Sequence, residues 1–308
     1  MFDLHTHTTA SDGTATPAEL IAAAAKAGIS LLAITDHDTF DGWEASRSFA
    51  SSHDIALIPG VELSTSLDEE AKVFLPGYRA DVHLLAYFPD TEPPAEFRRW
   101  VASLLESRWE RNRALLARLA ERGFDVDEDA LRTRGGPVAG RVHLARILVD
   151  AQQVGSIEEA FALFFGEAGA DYVPRRCPAI SETLAKVREA GGIPSLAHPI
   201  RFWGNHRDAA DGLSAWLKEH GLAALEVWHS EQSSDYSAWL RTLADKHGLG
   251  RTGGSDFHGG NKPGLALGVG RGQTPLVPPK DVLWSPALPG PFEYRERLAR
   301  TQAGPVGH

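Results

Sequence analysis

The sequence predicts an α/β fold built around a mainly parallel sheet or barrel. Apolar strand-like runs alternate with helical segments along most of the chain, and histidines and carboxylates stand where several of these runs end. Such alternation is typical of parallel sheets, in which functional groups gather at the carboxyl ends of the strands. The 308 residues, of which 43% are hydrophobic, are enough for a barrel-type domain that carries an insertion.

Residues 1–92 show this alternation and are predicted to form the first part of the barrel. A capping box, Thr16-Pro17-Ala18-Glu19, begins the first helix, and Gly28 ends it. A second amphipathic helix is expected around 43–50. The strand-like runs begin at Phe2 and cover 31–35, 55–61 and 82–87.

Residues 93–177 lack strand alternation, and we predict that they form a helical insertion that recognises the substrate. A long charged helix is expected from Pro93 to about Arg122, because apolar residues recur along it at helical spacing. Most residues of this helix are interpreted as packing residues. Shorter helical segments are predicted at 128–132, 142–154 and 157–165.

The alternation resumes after residue 177, so 178–308 are predicted to form the second part of the barrel with a C-terminal tail. The tail is rich in proline and glycine and is expected to lie over the barrel. The predicted helices cover 180–190, 212–220 and 236–247, and the predicted strands cover 193–197, 222–228 and 249–253.

Composition and net charge limit which binding partners and which cellular location we expect for the protein. The net charge of −10 argues against broad electrostatic binding of nucleic acid, but not against a small phosphorylated substrate. The single cysteine, Cys177, excludes an internal disulfide and suits a reducing compartment. No apolar run is long enough to cross a bilayer, and no signal-peptide pattern begins the chain. We therefore expect a cytoplasmic protein without membrane association, and no obligate protein partner is evident.

Candidate metal ligands follow or interrupt the strand-like runs. His5 and His7 project to the same side of a strand, because side chains alternate between its faces. A single buried histidine is often only a core residue. Imidazoles and carboxylates at successive strand ends, however, are how a barrel builds a polynuclear metal site. The remaining candidates are Asp12, His37, Glu62, His83, His198, Asp256 and His258.

The ordered set of these motifs resembles the PHP (polymerase and histidinol phosphatase) family over nearly the whole chain. The matching motifs are His-x-His at 5–7, Asp12, Thr-Asp-His-Asp at 35–38, Gly-Val-Glu at 60–62, His83, Ala-His-Pro at 197–199 and Ser-Asp-Phe-His at 255–258. The resemblance implies a distorted, TIM-like (β/α)7 barrel with a helical insertion domain and three divalent metal ions. Manganese is the expected metal, with iron or zinc as alternatives, since imidazole with carboxylate suits all three.

The resemblance also implies how the ligands divide among the three ions. One ion would be held by His5, His7, Glu62 and Asp256, and a second by Asp12, His37 and His258. The third would share Glu62 and use His83 and His198. Asp36 or Asp38 is a candidate for orienting a ligand histidine from behind.

Within the family, the insertion is similar to that of the nucleoside 3′,5′-bisphosphate phosphatase and 5′-3′ exoribonuclease subfamily. The similarity rests on Gly-Arg-Val-His-Leu-Ala-Arg at 140–146 and Tyr-Val-Pro at 172–174. It implies hydrolysis of a phosphomonoester of nucleoside 3′,5′-bisphosphates to the 5′-monophosphate, and action on short 5′-phosphorylated oligonucleotides or RNA ends. A metal-bridging hydroxide is expected to attack phosphorus in line. Residues 200–203 depart from the subfamily pattern, which leaves the substrate open.

A doubly phosphorylated substrate also requires groups that hold the phosphate that is not cleaved. Arginine suits this role, because its planar fork binds phosphate bidentately. Arg141 and His143 are the first candidates, followed by Arg175, Arg176 and Arg201.

Three alternatives stay open at this point. A histidinol-phosphatase-like or other small-molecule phosphatase of the same family is disfavoured by the helical insertion. A non-enzymatic binding module would usually lack some of the ligands. An amidohydrolase on a similar barrel would commonly show a metal-bridging lysine or a different His–Asp order. His229, which closes a strand-like run, is interpreted with the other histidines as a core residue.

Overall fold

Among the residues described by the computed structural model, which are 1–78, 81–166, 169–204 and 206–269, seven strands form one nearly closed barrel. Each strand pairs with the next one in chain order. The ring is completed where the Leu4 N–H donates to the Gly253 carbonyl at 3.2 Å. The predicted α/β barrel is therefore confirmed. Its strands are β1 Phe2–Asp3, β2 Leu31–Ile34, β3 Ala56–Thr65, β4 Val82–Tyr87, β5 Ile193–Leu196, β6 Ala224–His229 and β7 Gly250–Gly254.

One strand runs against the others. β4 is antiparallel to β3 and β5, whereas the other neighbouring strands are parallel. Between β3 and β4, the described residues 66–78 and 81 contain no crossover α-helix, as antiparallel neighbours allow. The register pairs Ser64 with His83. Because β4 is reversed, its first residues lie at the same barrel rim as the end of β3, which explains why His83 is inside its strand rather than after it.

The helices surround the barrel or build the segment between β4 and β5. The first begins with the predicted capping box: Thr16 accepts a hydrogen bond from the Glu19 N–H, and the Glu19 carboxylate accepts one from the Thr16 N–H. Phe161–Phe165 forms a π-helical turn. The α-helices are α1 Pro17–Lys26, α2 Asp41–Ser52, α3 Ala95–Glu121, α4 Glu128–Gly135, α5 Arg141–Asp150, α6 Ile157–Ala160, α7 Ile180–Glu189, α8 Ile200–Trp203, α9 Ala210–Glu219 and α10 Ser234–His247.

The long helix α3 belongs to two hydrophobic cores. Its first turns place Phe97 and Val101 in the barrel core. Its last turns place Leu115 and Leu119 in a second core, which is formed with α4, α5 and the segment that ends at Phe165. The helix thus fixes the second core beside the barrel. Whether 93–177 is a separate domain stays a prediction.

Two further predictions concern the C-terminal tail and the absence of a membrane-spanning segment. Residues 270–308, which make up most of the predicted tail, lie outside the described residues. Within the described part, none of the helices is both long and apolar enough to cross a membrane.

Candidate metal centre and phosphate pocket

Glu62, on β3, lies at the centre of the predicted metal ligands. Its Oε2 is 3.2 Å from His5 Nε2 and 3.1 Å from His7 Nε2. Its Oε1 is 2.8 Å from both His83 Nδ1 and His198 Nε2. One carboxylate therefore brings together histidines from the ends of β1 and β5 and from the start of β4.

Asp256 brings the end of β7 to the same place. Its Oδ1 lies 3.5 Å from the Nε2 atoms of His5 and His7 and 3.3 Å from His258 Nδ1. Barrel closure permits this approach because residue 254 is glycine: a Cβ there would overlap the backbone and Cβ of His5.

Asp12 and His37 complete the cluster on its more open side. Asp12 Oδ1 lies 3.2 Å from His258 Nε2, and its Oδ2 lies 3.7 Å from His37 Nε2. The predicted ligands form three groups in which one ligand atom from each residue lies within 4.8 Å of those of the others. These groups are His5, His7, Glu62 and Asp256; His7, Asp12, His37 and His258; and His37, Glu62 and His83.

The chemistry of these donors fits divalent cations. The buried atoms His7 Nε2, His37 Nδ1 and His198 Nδ1 have no hydrogen-bond partner among the described residues. Burial lowers the pKa of His37 to about 3, so its ring stays neutral and keeps a lone pair. Burial opposes ionisation of Glu62, but the surrounding imidazoles, first those of His37 and His83, hold its pKa well below the usual range. Burial opposes protonation of His7, but hydrogen bonds to Asp256 and Glu62 raise its pKa to about 9. Glu226 and Glu62 likewise raise the pKa of His5 against the effect of burial. A cation bound among these carboxylates would displace the protons, since imidazole binds a metal in its neutral form. Imidazole with carboxylate is the donor set that manganese, iron or zinc binds.

Glu226 is absent from the predicted set, although it contacts two of the candidate ligands. It lies on β6 and is fully buried, with Oε1 2.8 Å from His5 Nδ1 and Oε2 2.6 Å from the His198 backbone N. A carboxylate inside the apolar run Ala-Leu-Glu-Val-Trp-His is the signal that could have found it, because a charge is rarely buried without partners. His229, interpreted as a core residue, is indeed buried, and its Nε2 is also 3.2 Å from Asp256 Oδ2.

The two aspartates beside His37 have different surroundings. Asp36 accepts hydrogen bonds from the Thr8 N–H and from the Ser11 hydroxyl, and so holds the loop between His7 and Asp12. Asp38, the other candidate for orienting a ligand histidine, pairs with arginines of the helical segment.

A pocket of about 560 Å³ extends from the candidate ligands towards α3 and α5. This volume suits a small ligand. Arg201 and Lys262, on the barrel side, line it and both donate to Asp256 Oδ2. The wall towards the helical segment carries Arg108, Arg111, Arg141 and Arg175.

Arg175 and Arg108 are tied to Asp38. Arg175 Nη1 donates to Asp38 Oδ2 at 2.6 Å, and its other donors bond to the Ser107 hydroxyl and the Leu104 carbonyl. Arg108 Nη2 donates to the same oxygen at 2.5 Å. Burial opposes ionisation of Asp38, but the two guanidinium groups hold its pKa below the usual value. Each nitrogen of the Arg175 guanidinium therefore has a hydrogen-bond partner within the protein.

Arg111 lacks such a partner. Only 5% of the residue is exposed, its Nε donates to Asn112 Oδ1 at 3.1 Å, and no ion pair joins it to a carboxylate of the described residues. Burial and the nearby charges of Arg141 and Arg108 lower its pKa well below the usual value. Arg141 Nη2 lies 3.9 Å from Asp81, and Nη1 donates to the Phe165 carbonyl. This wall has the charge to bind an anion.

The other predicted substrate-binding residues divide between the pocket and the surface. His143 lines the pocket, but its Nδ1 accepts a hydrogen bond from the Gly140 N–H at 3.1 Å. Arg176 is exposed and absent from the pocket wall, because its neighbour Arg175 takes the inward position in this non-helical stretch. The role of Arg176 in substrate binding stays a prediction.

Arg108 and Arg111 are absent from the predicted site, because most residues of their helix, α3, were interpreted as packing residues. The signal was present: with Leu104 and Leu115 they follow the spacing i, i+4, i+7 and i+11, so both cations lie in the buried stripe of α3. A cation in an apolar stripe needs an anionic partner.

Substitution of Asp38 tests its pairing with the two arginines. Asp38→Asn should lower the free energy of unfolding by about 3–5 kcal/mol, because two buried guanidinium groups lose their counter-ion. Urea denaturation measures this effect, with the exposed Asp125→Asn as the charge-matched control. Equal stability of the two variants would contradict the assignment.

A barrel rim with clustered imidazoles and carboxylates, next to a pocket lined by arginines, defines a metal-dependent hydrolase that acts on phosphate esters. Comparison with known proteins agrees. The family model for the PHP domain matches residues 3–161. The chain is 34% identical over 268 residues to the 5′-3′ exoribonuclease Rnm of Salmonella typhimurium, covering 84% of this chain and 85% of the relative.

Two further relatives are similar over nearly their whole length. The 3′,5′-nucleoside bisphosphate phosphatase of Chromobacterium violaceum is 30% identical over 279 residues, covering 90% of this chain and 94% of the relative. A solved structure from Bifidobacterium adolescentis, described as a metal-dependent phosphoesterase, has a TM-score of 0.72 at 30% identity, covering 97% of this chain and 96% of the other. The chain belongs to the PHP domain family and is a metal-dependent phosphoesterase, so the alternative of a non-enzymatic binding module is excluded.

Proposed function

We propose that the protein removes the 3′-phosphate from nucleoside 3′,5′-bisphosphates and releases the 5′-monophosphate and phosphate. One observation carries the proposal: Arg111, a buried guanidinium that forms no ion pair with a carboxylate of the described residues, lines the same pocket as the candidate metal ligands. A substrate with a second phosphate supplies an anion that can pair with Arg111. Histidinol phosphate has a single phosphate and would leave Arg111 unpaired.

The metal centre in this proposal has three divalent cations, with manganese expected. When bound, the cations would supply a water molecule that ionises near neutral pH and would offset the charge of the reacting phosphoryl group. The proposed ligands are His5, His7, Glu62 and Asp256 for the first; Asp12, His37 and His258 for the second; and Glu62, His83 and His198 for the third.

The chain's own cations divide between the two phosphates. Arg201 and Lys262 flank Asp256, so they are placed to stabilise the oxygens of the phosphate that is cleaved. Arg111 and Arg141 would bind the 5′-phosphate from the opposite wall. Arg108 and Arg175 would shape this subsite while Asp38 holds them. His143 would hold α5 in place through Gly140 rather than bind substrate directly.

Short 5′-phosphorylated RNA ends are a second candidate substrate. The names of the two curated relatives, an exoribonuclease and a bisphosphate phosphatase, support both. In each substrate a nucleotide carries a 5′-phosphate and a phosphoryl group on its 3′ oxygen. The subsite for the 5′-phosphate and the subsite for the phosphoryl group on the 3′ oxygen would therefore accept either substrate. A cytoplasmic location and the lack of a protein partner stay predictions.

A substrate panel tests the proposal. With Mn²⁺ added, phosphate release should be fastest from adenosine 3′,5′-bisphosphate, with 5′-AMP as the product, and slower from 3′-AMP, 5′-AMP and histidinol phosphate. Chromatography of the nucleotides identifies which phosphate is lost. Release of the 5′-phosphate, or equal rates with histidinol phosphate, would contradict the proposal.

A further inference from the structure

We propose that Glu226 is a positioning residue that fixes two candidate metal ligands, His5 and His198, in the geometry in which both meet Glu62. The inference rests on the metal centre of the proposed function, but not on the identity of the substrate. Glu226 lies on β6 inside the barrel, where the register against β7 shifts between Glu226 and Trp228. Such irregularities commonly redirect a side chain beside an active site.

The two carboxylate oxygens of Glu226 serve different partners. Oε1 accepts from His5 Nδ1 at 2.8 Å, and Oε2 accepts from the His198 backbone N–H at 2.6 Å. With the His5 proton held on Nδ1, its Nε2 is the atom that faces Glu62, at 3.2 Å. A histidine that donates one ring N–H to a carboxylate presents the other nitrogen to a metal in a fixed orientation.

The second contact supports a strained backbone. His198 has a φ of +27°, in the left-handed region that non-glycine residues rarely adopt. This conformation brings its Nε2 to 2.8 Å from Glu62 Oε1. Strained residues persist where surrounding contacts hold them, and the short bond from Glu226 is such a contact. Through these two contacts Glu226 orients His5, which follows β1, towards Glu62 Oε2. It orients His198, which follows β5, towards Glu62 Oε1.

Glu226→Gln tests the inference with almost no change in size. A glutamine has one acceptor oxygen, so its amide N–H₂ must face either the His198 N–H or His5 Nδ1. If the amide N–H₂ faces the His198 N–H, two donors point at each other without an acceptor. If it faces His5 Nδ1 instead, the His5 proton is driven to Nε2, the atom that faces the metal centre. We expect Mn²⁺ to bind about 10–100-fold more weakly, measured by calorimetric titration of the full chain after removal of metal.

A control and a second variant keep the test decisive. Glu219→Gln changes the same charge at an exposed position on α9 and should bind Mn²⁺ as the wild type does. Glu226→Asp keeps the charge but is too short to reach both partners, so it should also weaken Mn²⁺ binding. Thermal unfolding of the metal-free proteins reports stability separately.

The outcomes distinguish this inference from the proposed function. Weaker Mn²⁺ binding in both Glu226 variants, with an altered visible spectrum of the Co²⁺-loaded protein, supports the positioning role. Wild-type Mn²⁺ affinity in a folded Glu226 variant overturns it, whatever the effect on metal-free stability. Failure of the wild type to bind Mn²⁺ would instead overturn the metal centre itself.

Discussion

Glu62→Gln should lower phosphoesterase activity by a factor on the order of 10³ or more and reduce the Mn²⁺ bound per chain. The reason is its central position, since both oxygens contact imidazoles that would ligate different ions. The amide keeps the shape of the side chain, but it removes the negative charge and points N–H donors at histidine nitrogens. Steady-state kinetics and metal analysis by mass spectrometry measure the two effects. The histidines concerned are His5, His7, His37, His83 and His198.

The matched control for this prediction is Glu70→Gln, which removes the same charge at an exposed position before β4. It should keep wild-type activity and metal content. If Glu62→Gln kept its full complement of Mn²⁺ and more than a tenth of the activity, Glu62 would not be a shared ligand.

Arg111→Met should raise KM for adenosine 3′,5′-bisphosphate by roughly 10–100-fold while leaving KM for p-nitrophenyl phosphate nearly unchanged. A charge-assisted hydrogen bond to phosphate contributes about 1.5–3 kcal/mol, and each 1.4 kcal/mol is about tenfold in affinity. The aryl phosphate has no second phosphate, so it should not sense the loss.

The same substitution should stabilise the protein. Arg111 is buried beside Arg108 and Arg141 and forms no ion pair with a carboxylate of the described residues, and an apolar side chain of similar length removes the repulsion between the guanidinium groups. We expect the free energy of unfolding to rise by about 1 kcal/mol or more. Arg113→Met, at an exposed position on the same helix, is the control. Equal KM effects on both substrates would show that Arg111 does not hold a phosphate.

The barrel and the clustering of its candidate ligands were accessible from the sequence because they depend on local patterns. Apolar runs that end in His, Asp or Glu indicate strand ends, and strand ends in such a fold share one rim. His5 and His258 are far apart in the chain, yet both lie within 3.5 Å of Asp256. The capping box at Thr16 was predictable for the same reason, because it depends on four consecutive residues.

Features that depend on tertiary contacts were not accessible. The reversal of β4 is set by its pairing with β3 and β5, which no local pattern encodes. The place of Arg111 in the apolar stripe of α3 is visible in the sequence, but which cations of that stripe pair with a carboxylate depends on packing. Arg175 and Arg176 are adjacent and identical, so packing alone decides which one points inward.

A crystal structure with Mn²⁺ and 5′-AMP, the expected product, tests the central claim most directly. Anomalous scattering from manganese should give peaks among the proposed ligands around Glu62, and the 5′-phosphate should lie against Arg111 and Arg141 with the ribose 3′ hydroxyl towards the metals. A 5′-phosphate bound to the metals, with Arg111 still unpaired, would contradict the account.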